Sequence, residues 1–245
     1  MNPCLLIPIY NHRDTIREVV VQLAPLALPC FVVDDGSDTE TREVLERIAG
    51  EFPWVRIGRL PSNRGRGAAL RHGYRLAAQH GFTHAVQLDA DGQHDPGDVP
   101  AFLAAARRRP GALILGAPRF DRTAPPSRRY GRLLSCFWVW VETLSFDVAD
   151  PLCGFRCIPL EPAVRLLART PLGEHMDFDP EIVVRLMWAG VPVATVPTRV
   201  RYFPNGLSHF HLLRDNARIS WAHTRLVCGM LARLPVLLWR RRCAR

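Results

Sequence analysis

Residues 83–100, THAVQLDADGQHDPGDVP, carry the pattern of a buried strand, an acidic turn and the start of a helix. The strand is predicted at 84–88. The helix is predicted at 96–108, because Asp95 is a favoured N-cap residue and proline is favoured in the first helical turn. Asp89 and Asp91 lie between the two elements. Because alternate residues of an extended chain point to the same side, both carboxylates are expected on one face at the end of the strand.

The alternation of strand and helix extends through the first half of the chain. Short apolar runs rich in β-branched residues alternate with amphipathic patterns, which is typical of an α/β fold with a mostly parallel sheet flanked by helices. Such sheets bind ligands at the carboxyl ends of their strands. Strands are predicted at 4–9, 30–33, 54–59, 84–88 and 112–115, and helices at 13–23, 39–51, 66–79 and 96–108.

The second half of the chain is less regular. Residues 121–132 contain prolines and arginines without apolar periodicity, which predicts a long loop. The remaining elements are predicted as helices at 130–144, 161–169 and 180–189 and a strand near 155–158.

Composition limits the possible partners and compartments. The 245 residues are 48% hydrophobic, enough for one substantial core, and the net charge of +9 is carried by arginine because lysine is absent. A polyanionic partner is therefore expected: phosphates, nucleic acid or an anionic membrane surface. Seven cysteines without a C-x-x-C pair indicate neither a disulfide framework nor a zinc knuckle, and Cys153 and Cys157 are interpreted as buried thiols. A strand-like run directly after Met1 favours a cytoplasmic protein.

The C-terminal part is predicted to be a basic amphipathic helical segment, 211–245, following a catalytic domain at 1–210. Its apolar stretch, 226–239, is interrupted by Arg233 and Pro235 and is too short to span a bilayer. Two alternatives remain open. With Trp221, Trp239 and the terminal arginines the segment could lie along a membrane interface, or it could be a core helix packed on the sheet.

Polar residues follow three of the predicted strands, so they are expected to meet at one edge of the sheet. Carboxylates there can accept hydrogen bonds from a ribose or a base. Gly65 and Gly67, in NRGRGAALRHG at 63–73, bring small residues and backbone N–H groups to a helix start, which suits a phosphate. The strand-end residues are Tyr10, Asn11, Asp34, Asp35, Asp89 and Asp91.

The D-x-D turn favours a hard divalent cation. Mg²⁺ or Mn²⁺ is typically held by one or two carboxylates together with substrate phosphates and water, which matches Asp89 and Asp91. Gln93 adds an amide oxygen, and His94 offers a nitrogen better suited to Mn²⁺. Since an isolated D-x-D is short and common, a solvated acidic turn is the alternative.

Four motifs, in this order, resemble the family 2 inverting glycosyltransferases: IPIYN, VVDDGSDT, NRGRGAALRHG and QLDADGQHDP. DADGQH and DPLCGFR, at 150–156, are similar to segments of the dolichyl- or polyprenyl-phosphate mannose synthase branch. The likeness covers residues 4–158. It implies the nucleotide-diphospho-sugar transferase (A-type) fold, a nucleotide-diphosphate-sugar donor and Mg²⁺ or Mn²⁺. His12 departs from the pattern, which often has an acid there.

The resemblance also implies residue roles. The metal would be held by Asp89, Asp91 and Gln93, and the nucleotide would be contacted by Pro8, Tyr10, Asn11, Asp34, Asp35, Gly65 and Gly67. Phosphate oxygens of donor or acceptor would meet Arg119, Arg129, Arg132 and Ser135. Arg129 and Arg132 both remain open as the counterpart of one family arginine.

The acceptor decides whether a base is needed. A polyprenyl phosphate is already ionised and needs none, whereas a hydroxyl of a glycolipid or cell-envelope glycan requires a carboxylate. Asp177 and Asp179 are candidates, with Asp177 preferred because Asp179 is interpreted as an N-cap before Pro180. Residues 201–215 could close over the site. His209 and His211 there could reach the metal.

Polyprenyl phosphate is the expected acceptor, and the protein is expected to act peripherally at the inner face of the cytoplasmic membrane. The absence of Q-x-x-R-W argues against a polysaccharide polymerase, and the absence of a glycine-rich loop after the first strand argues against a nucleotidylyltransferase. A non-catalytic module that binds membrane or nucleic acid is the remaining alternative. Acidic residues at strand ends would repel nucleic acid, so none is expected as a partner.

Overall fold

The computed structural model describes residues 1–120, 126–201 and 210–243, without the side chains of 120, 126–129 and 241–243. Strands and helices alternate through the first half, as the sequence predicts. The strands are β1 (Pro3–Ile9), β2 (Cys30–Asp34), β3 (Val55–Arg59), β4 (His84–Gln87), β5 (Leu113–Phe120), β6 (Arg156–Pro159) and β7 (Val193–Val200). The α-helices are α1 (Arg13–Leu23), α2 (Thr39–Glu51), α3 (Arg66–Gln79), α4 (Val99–Arg108), α5 (Pro126–Thr143), α6 (Leu160–Arg169), α7 (Phe178–Trp188) and α8 (Leu212–Cys243).

The strands form one seven-stranded sheet in the order β3-β2-β1-β4-β6-β5-β7. All neighbouring pairs are parallel except the two that β6 makes with β4 and β5. The carboxyl ends of β1, β2 and β4 therefore lie side by side, and the residues that follow them share one edge. This confirms the predicted mostly parallel α/β architecture.

Each face of the sheet has its own hydrophobic core. Alternate residues of β1 point to opposite faces, so Leu5 joins a cluster with Ile16 and Phe102, while Leu6 joins a second cluster with Leu70. Cys153 and Cys157 are buried in the first cluster, as predicted for unpaired thiols. The cores fix the strand ends rigidly beneath the polar edge.

The structure corrects part of the predicted loop at 121–132. Residues 121–125 lie outside the described residues, but α5 already begins at Pro126. Proline is accepted in the first helical turn because its missing N–H would have no intrahelical partner there, so Pro126 begins the helix. β5 is also longer than predicted, since it pairs with β7 along its whole length. β7 has no counterpart among the predicted strands.

The C-terminal helix α8 continues through Arg233 and Pro235 for 32 residues. Its main neighbours are α5 and α7, with Leu226 buried against the second core, so it does not pack on the sheet as a core helix would. Trp221 and Trp239 are exposed. Within the described ranges, no helix is both long and apolar enough to cross a bilayer. The division of the chain at residue 210 stays a prediction.

Candidate functional site

A cleft of about 1350 Å³ opens at the carboxyl ends of β1, β2 and β4 and extends between α5 and α8. The parallel strands place their polar ends together, and the first turn of α3 and the start of α7 complete this end of the cleft. Many of the predicted residues meet there: Pro8, Tyr10, Asp35, Gly65, Asp89, Asp91, Gln93, Arg132 and Ser135. The opposite end is built from the facing sides of α5 and α8.

A chain of alternating charges forms the floor of the cleft. Arg66 forms an ion pair with Asp89 and donates from Nε to Asp179 Oδ2 at 2.9 Å, and Arg156 Nη2 lies 2.9 Å from Asp179 Oδ1. Although burial favours the neutral acid, the charge of Arg66 holds the pKa of Asp89 well below its usual range. Gly154 is required here, because a Cβ at that position would lie 2.2 Å from Asp89 Oδ2. The floor is thus ionic and tightly packed.

Asp91 lies next to this row of charged side chains. Its pKa shifts in the opposite direction from the pKa of Asp89. Its Oδ1 accepts a hydrogen bond from the Gln93 backbone N–H at 3.0 Å. Burial and then the charge of Asp89 raise the pKa of Asp91, since both disfavour a second negative charge. A cation between the two carboxylates would remove that penalty.

The donor set fits Mg²⁺ or Mn²⁺ held jointly with substrate phosphates. Asp89, Asp91 and Gln93 supply oxygens, the donors these ions prefer. No group of three or more His, Cys, Asp or Glu that could hold a metal occurs in the described part of the chain, so a complete protein cage is not formed there. His94 Nε2 lies 3.6 Å from Asp89 Oδ2 and its ring packs 5.4 Å from Phe155. His94 is therefore oriented towards Asp89 and packs against the core on its other side.

The two aspartates at the end of β2 have different positions. Asp35 lines the cleft and accepts hydrogen bonds from the backbone N–H groups of Arg64 at 2.9 Å and Gly65 at 2.8 Å. Burial raises its pKa. Asp34 is fully buried, and its carboxylate accepts from the Ser37 N–H and from Arg59 Nε at 3.0 Å. Contrary to the prediction, Asp34 stabilises the turn and does not reach the cleft.

Asn11 and Gly67 also have structural roles in place of the predicted nucleotide contacts. Asn11, with a φ of 53°, accepts on its side chain from the Asp38 N–H and donates its own N–H to Ser37 Oγ, which ties β1 to the turn after β2. A Cβ at Gly67 would lie 2.5 Å from Phe178 Cβ, so this glycine permits α3 to approach α7.

The glycine pattern predicts an open phosphate site at the start of α3, but the structure shows a terminus that is partly closed by the chain itself. The Ala68 N–H donates to the Glu174 carbonyl at 3.0 Å, so this helix terminus is partly satisfied by the chain itself. Gly65 does line the cleft, with a φ of 100°. A Cβ there would lie 2.3 Å from His175 Nδ1.

Of the predicted phosphate-binding residues, the structure places Arg132 and Ser135 on the cleft face of α5. They are three residues apart and therefore share one side of the helix. Arg132 is held by an ion pair with the buried Asp150. Arg119 is exposed near the end of β5 and is not among the described residues that line the cleft. The side chain of Arg129 lies outside the described residues.

The structure exchanges the predicted positions of Asp177 and Asp179. α7 begins at Phe178, so Asp179 lies in its first turn and lines the cleft. Asp177 occupies the N-cap position, is buried and accepts from the His175 N–H at 3.2 Å, away from the cleft lining. Asp179 already interacts with the guanidinium groups of Arg66 and Arg156, so its carboxylate is engaged within the protein.

The sequence prediction missed three residues in or behind the cleft: Arg66, His223 and Glu142. Arg66 lies inside the quoted motif NRGRGAALRHG, so its charge could have indicated it. His223 and Glu142 interact across 81 residues of sequence, so nothing local indicates them. Of the two predicted histidines, His211 lines the cleft, and its backbone N–H donates to Asp215 Oδ2 at 2.8 Å at the start of α8. His209 lies outside the described residues.

Paired carboxylates at the end of β4, beside a cleft at the carboxyl ends of a mostly parallel sheet, define an A-type nucleotide-sugar transferase fold. A solved structure of the same fold is glucosyl-3-phosphoglycerate synthase from Mycobacterium tuberculosis with Mn²⁺, uridine diphosphate and glucosyl-3-phosphoglycerate. The TM-score is 0.61 at 20% identity, covering 94% of this chain and 78% of that one. The sequence profile of Glycosyl transferase family 2 matches residues 4–153, and the chain belongs to that family.

Two characterised relatives are similar along most of this chain. Glycosyltransferase AglD of Haloferax volcanii is 30% identical over 227 residues, which are 86% of this chain but 34% of that protein. The chain thus spans about a third of the length of that relative. Polyprenol monophosphomannose synthase of Mycolicibacterium smegmatis is 33% identical over 207 residues, 79% of this chain and 75% of that one. This likeness supports the resemblance to the polyprenyl-phosphate mannose synthase branch.

Proposed function

We propose that this protein is an inverting glycosyltransferase that moves a sugar from a nucleotide-diphosphate donor to a polyprenyl phosphate. The observation that supports this proposal most strongly is that the two ends of the cleft carry different polar groups. Carboxylates gather at its strand end, where a cation and a donor diphosphate would bind. Arg132 and Ser135 lie on α5, where a second anion would bind.

The donor end would bind the nucleotide and stabilise the leaving group. Asp35 and Tyr10 are placed to contact the nucleoside, while Asp89, Asp91 and Gln93 would hold Mg²⁺ or Mn²⁺. When bound, the ion would neutralise charge that develops on the departing diphosphate. Arg66, fixed between two carboxylates, keeps Asp89 ionised and oriented. The Mycobacterium tuberculosis structure, which contains Mn²⁺ and uridine diphosphate, supports this arrangement by analogy of fold.

The acceptor end favours an anionic nucleophile. Carboxylates of the described cleft residues are already hydrogen-bonded or ion-paired, including Asp179 with Arg66 and Arg156 and Asp215 with Arg218. A hydroxyl acceptor needs a carboxylate with an available oxygen, whereas an ionised phosphate does not. The name of the Mycolicibacterium relative supports the same acceptor class.

The protein would act at the inner face of the cytoplasmic membrane, where such acceptors are embedded. Exposed apolar residues follow helical spacing on α5, at Tyr130, Leu133, Leu134 and Phe137, and on α8, at Leu213, Trp221, Leu231, Leu238 and Trp239. We call these the α5 stripe and the α8 stripe. Together with the arginines of 211–245 they would contact lipid, with residues 1–210 as the catalytic domain.

Transfer to farnesyl phosphate tests this function, with candidate nucleotide sugars supplied in turn with Mn²⁺. Asp91→Ala is expected to reduce transfer by at least about a hundredfold, because the developing charge loses its main stabilisation. Asp14→Ala, whose side chain is 80% exposed on α1, is the matched control and should retain activity. Full activity in Asp91→Ala at an unchanged melting temperature would overturn the metal assignment.

A further inference from the structure

A buried histidine–glutamate pair joins α8 to α5 at the acceptor end of the cleft. His223 is 5% exposed and Glu142 is fully buried. His223 Nδ1 lies 2.8 Å from Glu142 Oε1, and His223 Nε2 lies 3.4 Å from Ser135 Oγ. Both Ser135 and His223 line the cleft, whereas Glu142 does not. The result is a glutamate, a histidine and a serine connected in series, with the serine end towards the cleft.

The direction of the hydrogen bonds follows from the chemistry of the pair. An ionised carboxylate can only accept, so Nδ1–H donates to Glu142 and the ring orientation is fixed. Nε2 is then directed to the Ser135 hydroxyl and the cleft. Burial raises the pKa of Glu142, while the hydrogen bond and charge of His223 oppose that rise. With Nδ1–H donating to Glu142, Nε2 donates to an anion in the cleft when the ring carries both protons.

The surroundings of the pair favour an anion at the cleft side. Arg132 lies one turn before Ser135 on the same face of α5. Asp150 orients Arg132, and Asp215 on α8 is engaged by Arg218. Behind the pair, Arg185 and Arg225 interact with Glu181, the other carboxylate that acts on Glu142. The carboxylates near the acceptor end are thus matched by guanidinium groups.

Apolar residues flank this cluster between the two helices. Leu134 and Trp138 of α5 and Ile219 and Val227 of α8 line this part of the cleft. Leu134 also belongs to the exposed α5 stripe. A polar, cationic end and an apolar extension match a phosphate attached to a hydrocarbon chain.

We propose that His223, held by Glu142, binds the acceptor phosphate together with Arg132 and Ser135, and that the groove between α5 and α8 binds the first isoprene units. This rests on the proposed function and deepens it. The C-terminal helix therefore contributes a binding residue to the acceptor subsite. His223 donates from Nε2 to a phosphate oxygen, and Glu142 is a positioning residue.

The test measures farnesyl phosphate binding by calorimetry in the presence of Mn²⁺ and UDP or GDP. His223→Gln and Glu142→Gln should each weaken farnesyl phosphate binding by about tenfold or more, the size expected for a charge-assisted hydrogen bond. The double variant should lose little more than either single one, because the two residues act as a unit. Nucleotide binding should be unchanged in all three variants. In transfer assays the loss should appear in KM for farnesyl phosphate more than in kcat.

His80→Gln is the matched control, since His80 is exposed at the far end of α3. Unchanged farnesyl phosphate affinity in His223→Gln, with only a lower melting temperature, would overturn the inference and leave the proposed function standing. A fall in kcat towards a hydroxyl acceptor at constant KM would reassign His223 as a base. If the wild type binds nucleotide but not farnesyl phosphate, the acceptor class is wrong and the inference falls with it. Inorganic phosphate binding as tightly as farnesyl phosphate would exclude the groove.

Discussion

Arg66 shows how one side chain can hold two carboxylates of the cleft floor in place. It contacts Asp89 and Asp179 and is only 14% exposed. Burial alone would lower its pKa, but the two carboxylates raise it above its ordinary value. The guanidinium therefore remains charged and sets the orientation of Asp89. The residue is as much a part of the donor site as the D-x-D turn.

Arg66→Met is expected to destabilise the fold by about 3 kcal/mol, because it leaves buried carboxylates without their partner. Mn²⁺ should restore part of this loss, since a cation at Asp89 and Asp91 replaces the missing positive charge. Chemical denaturation with and without Mn²⁺ measures both effects. Arg165→Met is the control. Arg165 is 62% exposed in its pair with Glu161, and its removal should change stability by less than about 1 kcal/mol. Equal stability of Arg66→Met and wild type would contradict the assigned role.

At the residue scale the sequence predicts the chemistry of the cleft better than its individual contacts. Asp35, Asp89 and Asp91 lie at the cleft, as predicted, because the carboxyl ends of parallel strands share one edge of the sheet. Asp34 and Asn11 are predicted there by the same pattern, yet their side chains hold the turn between β2 and α2. The order of the strands identifies the edge, but hydrogen bonds within a turn decide which side chain remains available for a ligand.

At the scale of elements, α5 and α8 carry apolar residues on two sides. One side of α8 buries Leu226 against the protein, and the α8 stripe is exposed. An exposed apolar surface of this kind is typical of a contact with another molecule, and the basic C-terminal arginines favour anionic lipid. One side of α8 thus packs against the protein, and the exposed side is the one that the predicted membrane contact would use.

Leu213→Ser combined with Trp221→Ser should reduce binding to vesicles containing phosphatidylglycerol by about tenfold or more, because two large side chains no longer enter the lipid. Neither residue lines the cleft. Co-sedimentation with vesicles measures the change, and pure phosphatidylcholine vesicles report the electrostatic part. Val21→Ser removes an exposed apolar residue of α1 and should have no effect. Undiminished vesicle binding by the double variant would assign the α8 stripe to another partner.

The sequence predicts the ends of helices and strands correctly where local signals mark them. It fails where pairing with a distant strand sets the end of an element. α1, α2 and α3 begin and end at the residues that the apolar period predicts. The extension of β5 to Phe120 depends on eight residues of pairing with β7, which follow it by 80 positions. The prolines and arginines around Pro126 are equally typical of a loop, so they do not indicate that α5 begins there.

At the scale of the whole molecule, donor binding should be coupled to global stability. A nucleotide that binds only the folded state, at a hundred times its Kd, adds about 2.7 kcal/mol. In a domain of this size that corresponds to a rise in Tm of about 5–10 °C. A thermal-shift panel of UDP, GDP and their sugars with and without Mn²⁺ measures this. The rise should require Mn²⁺ and disappear in Asp91→Ala. Absence of any shift would count against the donor site.

The antiparallel strand β6 has a consequence for how the protein is made. It lies between β4 and β5 in the sheet, although both precede it along the chain. During synthesis β1, β2, β3 and β4 can pair with one another as soon as they have left the ribosome. β5 has no neighbour in the sheet until β6 and β7 have also been made. Because such long-range pairing is slow, we expect the insertion of β6 to be a late step of folding, with the unpaired backbone groups along the edge of β4 exposed until then.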